Sequence, residues 1–126
     1  MKTVQEDMMK YLMFPDFSVT HTDLFVEQKI LKIFVEGAFF NVGEGSFFKS
    51  GVLVFHQWDL LTIRRYDHNS QTWAEVLVSN SVESLDDLCE NTFSTAFVLL
   101  SGFGKQSGQW MEWKIVNTKM YAEFET

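Results

Sequence analysis

Apolar residues return at every second position over most of the chain, the period of a strand with one buried face and one wet face. The alternation is cleanest over residues 110–116 and 119–125, and Asn117-Thr118 between them reads as a two-residue hairpin turn. That register sets Ile115 against Met120, Trp113 against Ala122 and Met111 against Phe124 on an apolar face. Its polar face pairs Lys114 with Tyr121, Glu112 with Glu123 and Trp110 with Glu125. A second hairpin turns through His68-Asn69-Ser70-Gln71 and opposes Tyr66 to Trp73, Arg64 to Glu75, Ile63 to Val76 and Leu61 to Val78. A third joins residues 17–26 to 30–40 about Gln28-Lys29, placing Val26 opposite Leu31, Leu24 opposite Ile33 and His21 opposite Glu36.

Between these, residues 41–51 read as a glycine-punctuated loop whose Phe47-Phe48 pair tucks back over the core. Residues 52–57 and 59–67 are strand-like, either as two strands or as one strand bent at Trp58. The dense apolar run 95–101 suits a central strand covered on both sides. Two segments leave the two-residue period. Val4, Met8, Tyr11 and Leu12 have helical spacing ahead of the stop at Pro15. Ser84, followed three residues later by Asp87, resembles a helix cap, with Leu85, Leu88 and Cys89 on one face and Asp86, Asp87 and Glu90 mostly on the other. The expected fold is mainly β, all-β to α+β. It is an antiparallel curved sheet, sandwich or partly closed barrel with a short N-terminal helix and one short internal helix.

Length and composition fit a single domain over 1–126. The chain can bury a continuous core without disulfides, and thirteen Phe and four Trp against one Pro mark a folded composition. The N-terminus carries Lys2, Glu6, Asp7 and Lys10 where a signal peptide needs an apolar core, and no apolar run reaches spanning length. With a single cysteine, Cys89, this points to a soluble cytoplasmic protein.

Charge changes the picture more. The net charge is -7, and no Lys or Arg occurs between Arg65 and Lys105, a span holding Asp67, Glu75, Glu83, Asp86, Asp87 and Glu90. Nucleic-acid backbones and anionic membranes need clustered cations, so neither is an expected partner; a basic protein is. The simpler reading of the acidic span is a solvated face that maintains solubility, with a partner site as the alternative.

Candidate chemistry is sparse. Residues 102–108, Gly-Phe-Gly-Lys-Gln-Ser-Gly, hold the residue types of a phosphate loop at the wrong spacing and lead into a strand, so they read as a glycine-rich turn. His21, His56, His68 and Cys89 lack ligand spacing, and no metal or cofactor is expected. Cys89 on an apolar helix face reads as a buried structural thiol, with nearby acids raising its pKa. Glu112 opposite Glu123 would form a carboxylate pair, either a tolerated surface feature or a cation or acid-base site. Arg65 falls on the inward side opposite Ala74, where it snorkels, takes an ion pair or anchors an anionic ligand. Trp110, Tyr121, Tyr66 and Trp73 on polar sides could offer a stacking platform.

These readings favour a non-enzymatic, immunity- or inhibitor-like acidic interaction module that binds a basic partner through Glu83, Asp86, Asp87 and Glu90. The alternatives are a small-molecule binder with an interior pocket around Arg65, then a carboxylate-based hydrolase using Glu112 and Glu123. Edge strands of such a sheet would also allow pairing into a homodimer.

Overall fold

The computed structural model describes residues 1–94 and 96–126. Among these, the in-out alternation produces thirteen strands: β1 (Lys2–Val4), β2 (Leu12–Met13), β3 (Val19–Phe25), β4 (Ile30–Val35), β5 (Ala38–Phe40), β6 (Ser46–Phe48), β7 (Gly51–His56), β8 (Leu60–Asp67), β9 (Thr72–Val76), β10 (Glu90–Phe93), β11 (Phe97–Phe103), β12 (Trp110–Val116) and β13 (Lys119–Phe124). Sheet I runs β1-β13-β7-β4-β3 and sheet II runs β10-β11-β12-β8-β9, while β2-β5-β6 form a small third sheet. All pairings are antiparallel. Inward side chains of sheets I and II belong to one core that includes Leu31, Leu53, Phe55, Leu100, Trp113 and Phe124, and Phe55 stacks on Phe93 across it. Among the described residues no sheet closes on itself, and no helix is long and apolar enough to cross a membrane.

The expected C-terminal hairpin is corrected to a corner. β12 pairs with β8 and β11 in sheet II, whereas β13 pairs with β7 and β1 in sheet I. The two predicted faces survive: Met111, Trp113, Ile115, Met120, Ala122 and Phe124 are all buried. At Asn117-Thr118 the alternation slips by one residue, and a hairpin and a corner between sheets both require that slip. The residues themselves favour the corner. A type I′ turn needs positive φ at both central positions, and here only Asn117 (φ 51°) has it. The β7–β8 connection crosses between sheets beside it with Gln57 (φ 56°), so the strand suspected of bending at Trp58 does break there into two. Asn117 Nδ2 donates to Asp59 Oδ2 at 2.8 Å and the Thr118 hydroxyl to the His56 carbonyl at 3.1 Å, locking the paired corners. Asn117→Val is expected to cost about 1–2 kcal/mol in urea unfolding, because a β-branched residue resists positive φ and the Asp59 bond is lost; Asn117→Gly should cost less.

The β8–β9 hairpin has the expected register from Ile63↔Val76 to Tyr66↔Trp73, with Leu61↔Val78 beyond the end of β9. β3 and β4 pair two residues out of the expected register, as Leu24↔Leu31 and Thr22↔Ile33 around residues 26–29. His21 accordingly lies opposite Phe34 and stacks on its ring at 4.1 Å. A two-residue shift leaves every face unchanged, so alternation carries no information about it. The run 30–40 divides at Glu36-Gly37 into β4 and β5. Phe48 packs against the core while Phe47 is exposed. The strand expected over 95–101 is β11, Phe97–Phe103, with Thr95 outside the described residues.

The N-terminal helix is a single 3-10 stretch, Glu6–Tyr11, flanked by β1 and β2. No helix forms at residues 85–90. Residues 79–89 instead make an extended strap along the edge of β3. The Val26 N–H donates to Asn80 Oδ1 (2.9 Å), the Thr22 and Ser84 hydroxyls share a hydrogen bond, the Val19 N–H donates to the Asp86 carbonyl (2.9 Å), and Ser18 bridges Asp87. Its other side meets the end of β11, where the Asp86 N–H donates to the Phe103 carbonyl (2.7 Å) and the Lys105 N–H to the Ser84 carbonyl (2.9 Å). The strap therefore stitches sheet I to sheet II. Two open strand ends satisfy its backbone more completely than one isolated helical turn could.

Candidate functional site

Where the strap ends and β10 begins, it faces the segment between β2 and β3. The two stretches are held at both ends, by the Ser18–Asp87 bridge and by Asn91 Nδ2 donating to the Leu12 carbonyl at 3.1 Å. Between these ties they separate around an open recess of about 870 Å³. Buried Phe14 and Leu88 supply apolar lining, exposed Met13 and half-buried Phe17 stand on one side, and Asp16, Asp87 and Glu90 supply carboxylates. Among the described residues Lys10 is the one cation in the lining, and its ammonium lies 5.3 Å from the centre of the Tyr11 ring. Ion pairs among the described residues are His21–Asp23, Arg64–Glu112 and Arg65–Glu83, so none uses these three acids.

Two glycines position the acids. A methyl on Gly102 would collide with the Asp87 carbonyl oxygen, and one on Gly104 with the Glu83 carboxylate. The Gly102-Phe103-Gly104 stretch is thus a rail on which the strap lies rather than a turn; the turn proper follows, with Gly108 at φ 68°. The expected partner residues divide accordingly. Glu83 faces inward: its carboxylate accepts from the Ser107 hydroxyl at 2.6 Å and lies 3.8 Å from Arg65, with the side chain only 9% exposed. Asp86 and Glu90 are exposed, and Asp87 is half-buried with Oδ1 accepting from the Phe103 N–H at 3.3 Å.

Cys89 lines the recess and is exposed, which corrects the expected buried thiol; without a helix there is no apolar helical face to carry it. Partial desolvation, then the hydrogen bond to Asp87 and the charges of Asp87 and Glu90, push its pKa up to about 11. Its alkylation by iodoacetamide should consequently rise with pH to an inflection near 11. At pH 8 the thiolate fraction is about 100-fold below that of an unperturbed cysteine. Asp87→Asn should move the inflection down, and a profile inflecting near 9, the unperturbed value, would remove the contribution of the acids.

The expected carboxylate pair does not form, because Glu112 and Glu123 belong to different sheets. Glu112 stands between Arg64 and Ser101 and accepts from Arg64 Nε at 2.8 Å; Glu123 stands between Thr3 and Val52. Arg65 does lie opposite Ala74, and its guanidinium meets Glu83. It does not line the acidic recess. Among the described residues no three His, Cys, Asp or Glu side chains gather as a metal cluster.

Three of the four platform aromatics share the outer face of sheet II, in two separate pairs. Trp73 opposes Tyr66, and Trp110 opposes Phe103, on the outer face of sheet II, while Tyr121 lies on sheet I. The rings meet edge to face, at 67° for Tyr66–Trp73 and 80° for Phe103–Trp110, and the Arg64 guanidinium covers Trp73 at 3.9 Å. Mutual edge contacts and a covered face leave no coplanar surface for a flat ligand.

The sequence does not mark Asp16 as a candidate, since a residue after Pro15 carries only a turn signal. Its partnership with Asp87 is purely tertiary. Comparison of the chain with protein-family models, curated proteins and solved structures found no match.

Proposed function

We propose that the protein is a non-enzymatic interaction module that takes a basic segment of a partner protein into the recess between β2–β3 and the strap. The observation that carries this reading is the placement of Asp16, Asp87 and Glu90, none engaged in an ion pair among the described residues, around an apolar lining made by Phe14, Leu88 and Met13. Lysine and arginine suit such a site, because the aliphatic stem lies on apolar carbon while the cationic head reaches carboxylates at the rim. Asp86 is exposed on the strap outside the recess lining and adds to the negative charge nearby, and Glu83 acts as a fastener of the strap. The net charge of -7 would steer a cationic partner toward the protein. A cytoplasmic setting, with Cys89 as a free thiol, belongs to the same reading.

The test is calorimetric titration with a blocked hexapeptide alternating Arg and Leu, beside its Glu-Leu counterpart. The expected result is one-to-one binding of the basic peptide that weakens about tenfold between roughly 0.05 and 0.5 M salt, with no heat from the acidic peptide. Equal binding of both peptides, or of neither, would overturn the reading.

A further inference from the structure

We propose that the outer face of sheet I carries a second, independent site, a cup for a small organic oxyanion attached to a flat apolar body. Strand register assembles it. β4 and β7 pair Ile30 with His56 and Lys32 with Val54, and β7 and β13 pair Val54 with Tyr121 and His56 with Lys119. Since Leu31, Leu53, Phe55, Met120 and Ala122 fill the core, these alternate residues all face outward. At one end the Gln57 N–H donates to the Lys29 carbonyl at 3.1 Å, tying the β3–β4 turn to the corner after β7 and bringing Gln28 and Gln57 over the cup. The cup is open to solvent, and its volume of about 340 Å³ falls at the low end of the range that accepts a small ligand.

Its chemistry is opposite in sign to the rest of the molecule. The polar residues of the lining are Lys32, His56, Tyr121, Gln28 and Gln57, each with a side-chain group able to donate hydrogen bonds. Among the described residues no carboxylate lines it, although the chain has 17 acidic residues against 10 basic ones. Lys119 stands beside His56, and neither Lys32 nor Lys119 takes part in an ion pair among the described residues. By register the adjoining acids are Asp23, opposite Lys32 on β3 with its carboxylate 3.6 Å from His21 Nε2, and Glu123, two residues beyond Tyr121 on the same outward face of β13. Apolar carbon completes the cup. Val54 is only 5% exposed despite facing outward, and the His56 and Tyr121 rings meet edge to face at 6.0 Å. An oxyanion would lie at Lys32 and the glutamine amides, with a flat ring over Val54 and Ile30 against the aromatic wall.

Nitrogen-15 chemical-shift titration of the full chain with phenyl phosphate tests this, with inorganic phosphate and benzyl alcohol as separate arms. Expected are saturable shifts at the amides of Lys32, Val54, His56, Gln57 and Tyr121 with a Kd in the range of about 0.1–1 mM. Inorganic phosphate should bind at least about fivefold more weakly, and benzyl alcohol should produce no saturable shift. Lys32→Gln should weaken phenyl phosphate about tenfold, with unperturbed spectra elsewhere showing an intact fold. No saturable shift up to about 10 mM, equal binding by inorganic phosphate, or full affinity in Lys32→Gln would each overturn the proposal. The acidic recess plays no part in these outcomes, so either site can fail without the other.

Discussion

Neutralising Asp16, Asp87 and Glu90 together, as Asn, Asn and Gln, should lower affinity for the Arg-Leu peptide by about 100-fold, roughly 1 kcal/mol for each lost charge-assisted contact. The substitutions preserve side-chain shape, and after Asp87→Asn the amide oxygen at that position can still accept from the Phe103 N–H. Stability should therefore change little. A matched control separates local contact from the general negative field. Glu27, Glu44 and Glu75 are exposed and do not line the recess, and changing all three to Gln alters net charge by the same amount. That control should cost less than about threefold, since charges beyond a Debye length are screened at physiological salt. Equal losses from both triple variants would mean that net charge alone attracts the peptide.

Gly102→Ala should be the most damaging single methyl addition on sheet II. The new carbon would overlap the Asp87 carbonyl, which belongs to backbone held on its other side by the Ser18 bridge and so cannot rotate away. Either β11 bends or the strap lifts, and the second choice gives up hydrogen bonds to Phe103 and Lys105. Overpacking of this kind costs about 1–3 kcal/mol, and the loosened strap places the total toward the upper end. Gly43→Ala is the informative comparison. Nothing lies near its added carbon, so only the positive φ of 62° opposes it, at about 1 kcal/mol. Gly102→Ala should also weaken the basic peptide, because the strap carries Asp87 and leads directly into Glu90. Urea midpoints of the two variants, measured with peptide affinity, distinguish this rail from a simple glycine preference.

The faces of the strands were legible in the sequence because burial enforces them. Met111, Trp113 and Ile115 had to point one way, and a two-residue period says so directly. Partnership was legible only where a loop tied neighbouring strands. His68 to Gln71 fixed β8 against β9, whereas Asn117-Thr118 permitted both a hairpin and a crossing to the other sheet. The Glu112–Glu123 pairing rested on that ambiguous turn, and the corner separates them. The strap departs from the expected helix for a different reason. Ser84, Leu85, Asp87 and Leu88 satisfy a helical pattern locally, but the unpaired edge of β3 and the open end of β11 lie within reach and outcompete it. Asp86, Asp87 and Glu90 were recognisable as acids without cations nearby in sequence. Asp16 and the apolar lining beneath them depend on a tertiary approach that periodicity does not encode. The sheet I cup was hidden likewise, since Lys32, His56 and Tyr121 come from three strands whose order becomes visible only in the assembled sheet.

The claim that a basic segment enters the acidic recess is tested most directly by mapping where the Arg-Leu peptide acts on the nitrogen-15 spectrum of the full chain. The account predicts one saturable set of shifts confined to the amides of residues 13, 14 and 16–18 and of 87–91, fading together as salt is raised. Shifts scattered over distant acids such as Glu27, Glu44 and Glu75, or centred on the aromatic row of sheet II with residues 87–91 unmoved, would contradict it.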